Sequence, residues 1–378
     1  MKSVALFLSF LAAAAQAQQA PLDLLRDMET IPFQQRAVAV DQFLDDHPLN
    51  PVAQTGSDTL VLLYRGPCRD VRLAGDHTAW NDGIAFRHIP GTDLWYLADA
   101  YPSKARLDYK IVVDGTWRLD PRNPLTCVGG FGPNSELQGR DYRAPAWLAE
   151  ESTIPCRLDT FEVVSPQLGD TRTVVVAVPG GATDTPRPLL IVHDGLEYLT
   201  LGGLRHYLDV AGGGPFGSKL PICVCIPPVQ RTAEYAESRQ EAFGRFVVET
   251  VMPLIEVRYA DIGEVGAPWG SMGASYGGRI TLDLARRYPD RFDRLAPMSP
   301  AIAPEQHDGI AARDPAGLRL YLNWGRYDIP GLIPACERFD TMLTERGFPH
   351  RTEVLPQGHS WGLWRDTLAQ AFHTLYIP

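Results

Sequence analysis

The sequence predicts an α/β fold, an open sheet covered by helices on both faces, preceded by a smaller β-sandwich. Three observations carry this. From Cys156 onward, apolar strand runs such as Pro188 to Val192, Ile222 to Ile226 and Leu318 to Trp324 alternate with stretches of helical periodicity. Between Thr59 and Leu137, short β-rich runs are separated instead by turns (Asp82-Gly83, Pro90-Gly91, Asp114-Gly115), which is the spacing of a sandwich. The pentapeptide Gly273-Ala274-Ser275-Tyr276-Gly277 then sits between an extended apolar run and a helical one.

In chain order, Met1-Lys2 followed by the apolar stretch Val4 to Ala15 and the small-x-small Ala15-Gln16-Ala17 predicts a secretory signal peptide over residues 1–17. The apolar run is too short to span a bilayer, so no membrane association is expected. The mature protein is expected to be exported, periplasmic or secreted. Residues 18–58 read as a helical segment, with one or two helices in Leu24 to Asn50. The sandwich occupies residues 59–139, with strands at Leu60 to Tyr64, Asp70 to Ala74, Leu94 to Leu97 and Leu107 to Val113. Residues 140–155 read as a linker and 156–378 as the α/β domain. Trp80, Trp95 and Trp117 could make a sugar platform on the sandwich, but packing inside it or between domains is the favoured expectation.

The 378 residues are 45% hydrophobic and 21% charged, enough to bury a large core. A formal net charge of −10 argues against nucleic acid as a partner, and any anionic substrate must be met by locally placed arginines. The six cysteines of an exported chain could form disulfides, with Cys68 and Cys127 as candidate partners in one domain. Cys223 and Cys225 alternate on one strand and share a face, too far apart to bond to each other comfortably. No Cys-x-x-Cys or His-x-x-x-His set occurs, so no metal or other cofactor is expected.

The chemistry centres on Ser275. A small-x-Ser-x-small run lets a strand turn sharply into a helix and leaves the hydroxyl exposed above the sheet, because glycines stand where a Cβ would meet backbone. A serine needs a base, and the base needs an acid to hold its tautomer; in an α/β-hydrolase sheet these follow in the order Ser, Asp or Glu, His, each just past a strand. Of the four histidines downstream, His307 lies in a polar loop, His350 precedes its strand and His373 falls in the terminal helix. His359 alone follows a strand and a glycine. Asp328, in the turn after Leu318 to Trp324, is the acid favoured over Asp340, Glu337 and Glu353. The oxyanion donors are the N–H groups of Tyr276 and of Leu196, the latter in His193-Asp194-Gly195-Leu196 after a buried strand. His193 and Asp194 are read as shaping that loop.

At this point the chain resembles the enterochelin (enterobactin) esterases. Ser275 in its elbow, His359-Ser360-Trp361-Gly362-Leu363-Trp364-Arg365 and Arg231-Thr232-Ala233-Glu234-Tyr235 carry the likeness, and the sandwich is similar to that family's N-terminal, early-set domain through Tyr109 to Trp117 and Asp120 to Pro124. The resemblance implies an α/β-hydrolase that cleaves the esters of a catecholate siderophore, with Ser275 and His359 in the catalytic positions. Two departures stand out. Ala274-Ser275-Tyr276 replaces the Ser-Met or Ser-Phe of relatives, and the export signal differs from cytoplasmic members.

A ferric tris-catecholate is anionic and aromatic, so its site should combine guanidinium groups with flat rings. Arg231, Tyr235, Trp361 and Arg365 are the substrate-binding candidates, with Arg239, Tyr198 and Trp364 nearby; Trp361 and Trp364 could equally pack the last helices. The alternatives are a feruloyl or acetyl-xylan esterase, which the same domain also resembles, and a siderophore- or glycan-binding protein on an inactive hydrolase fold.

Overall fold

The computed structural model describes residues 20–377 apart from 82, 153 and 182–184. The expected signal peptide, residues 1–17, lies outside the described residues. The chain divides into two compact units, one running to Arg143 and the other from Ala144 on, with Val128–Phe131 grouped with the second.

In the first unit, the helices Pro21–Met28 and Phe33–Asp46 lay Leu25, Met28, Val40 and Phe43 on Val61, Leu63, Leu94 and Tyr96 of an antiparallel sheet. That sheet is ordered Val52–Ala53, Thr59–Arg65, Leu94–Ala100, Arg87–His88. Leu60 and Leu62, which point the other way, are buried as well, as a strand covered on both faces requires. A second sheet is built on Arg106–Val113, flanked by Val71–Gly75 on one side and by Gly132–Gln138 and Thr116–Arg118 on the other. Its polar interior is paired. Arg106 is fully buried against Asp108 at 2.9 Å and Glu136 at 2.5 Å. Asp76 accepts from the Asp108 N–H at 2.8 Å and from Trp80 Nε1 at 3.0 Å. Burial, followed by the charge of Asp108, pushes the Asp76 carboxyl up to about 7.

Three expectations are corrected in these parts. Trp117 is not core: it is 45% exposed and stacks on Trp80, with centroids 6.3 Å apart and planes 17° apart. Trp80 is presented by a turn in which it and Ala79 both take positive φ, whereas Trp95 is half-buried against His88. Cys68 and Cys127 are not bonded to each other; Cys68 Sγ instead donates to the Gly66 carbonyl at 3.5 Å. Residues 140–155 are more than a linker, because a 3₁₀ turn at Ala146–Leu148 buries Trp147 beside Tyr207. An apolar indole anchors that segment where composition alone reads as a spacer.

The second unit is an eight-stranded sheet: β1 (Arg157–Ser165), β2 (Asp170–Val178), β3 (Leu189–His193), β4 (Ile222–Ile226), β5 (Trp269–Ala274), β6 (Phe292–Met298), β7 (Arg319–Tyr327) and β8 (His350–Gly358). The order is β1-β2-β4-β3-β5-β6-β7-β8, antiparallel for β1, β2 and β4 and parallel from β4 through β3 to β8. β4 and, up to His193, β3 are apolar throughout and buried on both faces, which is why they read as continuous hydrophobic runs. On β4, Ile222, Val224 and Ile226 enter one core layer and Cys223 and Cys225 the other. The sheet and its covering helices make an α/β-hydrolase fold. Because β3 and β5 to β8 run parallel, their carboxyl ends lie along one edge of the sheet, and every nominated catalytic residue follows one of those ends.

Candidate active site

Ser275 follows β5 and caps the helix Tyr276–Arg287 with φ 57° and ψ −116°, a conformation that L-residues seldom adopt. The turn is locked on both sides: Ser275 N–H donates to the Met298 carbonyl at 2.9 Å, and its own carbonyl accepts from Ala301 N–H at 3.1 Å. Gly273 is obligatory here, because a Cβ would come within 2.5 Å of the Gly277 carbonyl oxygen. The local sequence therefore dictates the elbow.

Two neighbouring strands end in the same way. Asp194 after β3 has φ 52°, and Ser299 after β6 has φ 42°. Strained non-glycine turns thus line the edge where the chemistry is expected, and strain of this kind collects at functional sites.

His359, just past β8, points Nδ1 at Asp328 Oδ1, 2.6 Å away. Asp328 is 2% exposed and accepts further bonds from Ser299 Oγ at 2.7 Å, Gly325 N–H at 3.1 Å and Ile329 N–H at 2.7 Å. Burial alone would raise its carboxyl, but the bond and charge of His359, then the Ser299 and Gly325 donors, outweigh it and hold the group below the ordinary carboxylate value. An ionised Asp328 fixes the proton on Nδ1 and leaves Nε2 as the basic nitrogen. Trp364 completes the support. Its ring meets His359 edge-on at 5.1 Å and its Nε1 donates to Ser299 Oγ at 3.1 Å. Among the described residues no hydrogen bond joins Ser275 Oγ to His359, and such bonds are often long without substrate.

The oxyanion candidates are both first-turn N–H groups, which a helix leaves without intrahelical acceptors. Tyr276 opens its helix, and Leu196 is second in the helix Gly195–Thr200 and 40% exposed. His193 and Asp194 shape this loop. His193 is fully buried, contacts Ser271 Oγ through Nε2 at 3.1 Å and is pushed down to about 3 by burial, so it stays neutral.

The four substrate-binding candidates have other duties. Arg231 grips Asp194 with two bonds of 2.7 Å, and its Nη2 also donates to the Ala274 carbonyl at 3.2 Å. Tyr235 is fully buried, its hydroxyl accepting from Asp194 N–H at 3.0 Å. Trp361 is buried between Tyr198 and Trp364, so it packs the last helices. Arg365 is half-buried and paired with Asp366 at 3.0 Å. Tyr198 is likewise buried, with its hydroxyl on Met298 Sδ, and Arg239 donates to the Leu168 carbonyl. The polar groups among them are bonded within the protein because a buried donor or acceptor left without a partner is costly, and the Trp361 ring is held by packing. Sequence reasoning missed Ser299. The signal was present, since Ser299 follows the apolar run Leu295–Met298 that ends β6, as Ser275 follows β5.

With this geometry in view, comparison with known proteins is informative. A family model named Esterase matches residues 165–375. The structure is similar to the enterobactin esterase of Shigella flexneri solved with enterobactin, at 19% identity over 83% of this chain and 91% of that one, with a TM-score of 0.65. It is also similar to the ferric enterobactin esterase of Salmonella typhimurium, at 18% identity over 83% and 92% of the chains and a TM-score of 0.66. The BES protein of Bacillus cereus matches at 13% identity over 60% and 97%, with a TM-score of 0.50. Among curated proteins none matches the chain in sequence.

Proposed function

This chain belongs to the Esterase family, and from that premise we propose that it is an exported serine esterase acting on a catecholate siderophore through an acyl-enzyme. The observation that carries the mechanism is the buried Asp328 bonded to His359 Nδ1, on the same sheet edge as Ser275 in its strained turn. His359 Nε2 takes the proton from Ser275 Oγ as that oxygen attacks the ester carbonyl. The N–H groups of Leu196 and Tyr276 hold the developing oxyanion. Asp328 stabilises the imidazolium, which then gives its proton to the departing alkoxide. Water, activated by the same histidine, clears the acyl group and regenerates Ser275.

The siderophore assignment is supported by the fold shared with enterobactin esterases. Arg231 and Arg365 already hold carboxylates, so it rests on ester chemistry rather than on two unpaired guanidinium groups. The signal-like residues 1–17 support a periplasmic or secreted site of action. A second reading, a feruloyl or acetyl-xylan esterase, draws on the exposed Trp117 ring stacked on the half-buried Trp80, a flat apolar surface against which a sugar ring could pack. The binding-only alternative is disfavoured by the intact Asp328–His359 pair.

Mass spectrometry of the products from ferric enterobactin, with Ser275→Ala as control, tests the proposal. Serine-dependent linear dihydroxybenzoyl-serine species are expected. Absence of cleavage by protein that still reacts with a fluorophosphonate would transfer the assignment to feruloylated or acetylated polysaccharides. Wild-type turnover by Ser275→Ala would remove the mechanism itself.

A further inference from the structure

We infer that the Arg231–Asp194 pair is a positioning device that sets the two halves of the oxyanion hole against each other. The inference rests on the reading of Ser275 as nucleophile and of Leu196 and Tyr276 as oxyanion donors.

Those donors come from different turns. The β3–β5 ladder ends at Val192 and Met272, before either turn begins. Beyond it, one guanidinium spans the gap. Arg231 Nε and Nη2 each lie 2.7 Å from an Asp194 carboxylate oxygen, and Nη2 also reaches the carbonyl of Ala274, the residue before Ser275. The Asp194 carboxylate in turn lies against the start of the elbow helix, where a Cβ on Gly277 would stand 3.0 Å from Oδ2. Asp194 itself is held at φ 52°, two residues before Leu196, with its N–H on the Tyr235 hydroxyl.

The arm that delivers Arg231 is rigid. Arg231 and Tyr235 share the helix Arg231–Ala236. Glu234 on that helix is fully buried, pairs with the buried Arg172 at 2.7 Å and accepts from the N–H groups of Val229 and Gln230. Three strand ends, those of β3, β4 and β5, are therefore tied through one planar fork. A lysine could not reproduce it, because an ammonium offers a point charge and no fixed bidentate geometry.

The pair does not touch the reacting atoms. Its effect should appear in the transition state, where small errors in donor placement are expensive, and not in substrate binding. Arg231→Ala, assayed on p-nitrophenyl acetate, is expected to lose about 100-fold in kcat, the scale of one oxyanion donor, with KM changed by no more than about threefold. Affinity for a trifluoromethyl ketone that forms a tetrahedral adduct should fall in step with kcat/KM. Added ethylguanidine should restore part of the kcat of Arg231→Ala, and Arg231→Lys should remain impaired. If Arg231→Ala fails to fold by thermal melt, Arg231→Lys and Asp194→Asn carry the same comparison. Wild-type kcat in a folded variant would overturn the inference, as would a rise in KM at unchanged kcat, which would make Arg231 a substrate contact. Activity in Ser275→Ala would overturn the underlying reading instead, so the two failures are distinguishable.

Discussion

His359 Nδ1 lies 2.6 Å from Asp328 Oδ1, across the gap between the turns that follow the seventh and eighth strands of the sheet. The two strands pair in parallel to Tyr327 and Gly358, with a register shift between Gly325 and Tyr327, so the ladder beneath brings the two turns side by side. Asp328→Asn keeps the shape but removes the preference for a proton on Nδ1. We expect kcat to fall by about 10³–10⁴-fold with KM nearly unchanged, measured on a soluble aryl ester. A fall of less than tenfold would mean that another group orients the imidazole.

Ser299 extends the same network, donating to Asp328 Oδ2 and accepting from Trp364 Nε1. Ser299→Ala should lower kcat by about tenfold, the worth of a hydrogen bond to a charged group. It should also alter acid stability. Because Asp328 sits below its ordinary value, the stability it contributes is present above the unfolded carboxyl value of about 4 and is lost as pH falls through the lower folded value. Removing a donor narrows that difference. The acid unfolding midpoint of Ser299→Ala is expected at higher pH than that of the wild type, and coincident midpoints would show that the hydroxyl does not help hold the charge.

Asp76 behaves in the opposite sense. Burial and Asp108 raise it to about 7, so between about pH 4 and pH 7 the folded chain keeps a proton that the unfolded chain releases. Stability from this group therefore falls as pH rises through that window and levels off above it. Asp76→Asn cannot ionise, and its melting temperature relative to wild type should climb between pH 5 and pH 8. A constant difference would place the Asp76 carboxyl near its ordinary value.

Trp117 lies outside both cores, stacked on Trp80. If the stack takes sugar rings, Trp117→Ala should lose retention on immobilised arabinoxylan while its kcat on p-nitrophenyl acetate, which carries no sugar, stays within about twofold of wild type. Equal retention of the two proteins would remove glycan as a partner of this surface.

Much of the candidate site is legible in the chain because it depends on local and strand-end rules. Gly273 and the small residues around Ser275 state the elbow directly, since only a backbone without a Cβ at Gly273 clears the Gly277 carbonyl. Asp328 and His359 each follow a strand, and parallel strands bring all such ends to one edge. Arg231, Tyr235 and Trp361 carry no such local rule, since their chemistry suits an aromatic anion as well as it suits partners within the fold.

The order of Ser275, Asp328 and His359, the strand ends that carry them and the alternation that builds the sheet are legible in the chain, because each follows from backbone geometry and periodicity over a few residues. What the polar and aromatic side chains around them touch is set by the folded chain. Arg231 finds Asp194 across 37 residues, Trp364 finds Ser299 across 65, and Arg172 finds Glu234 across 62. A long side chain at a sheet edge can turn to substrate or to a neighbouring loop, and that choice depends on partners that adjoin it only once the chain has folded.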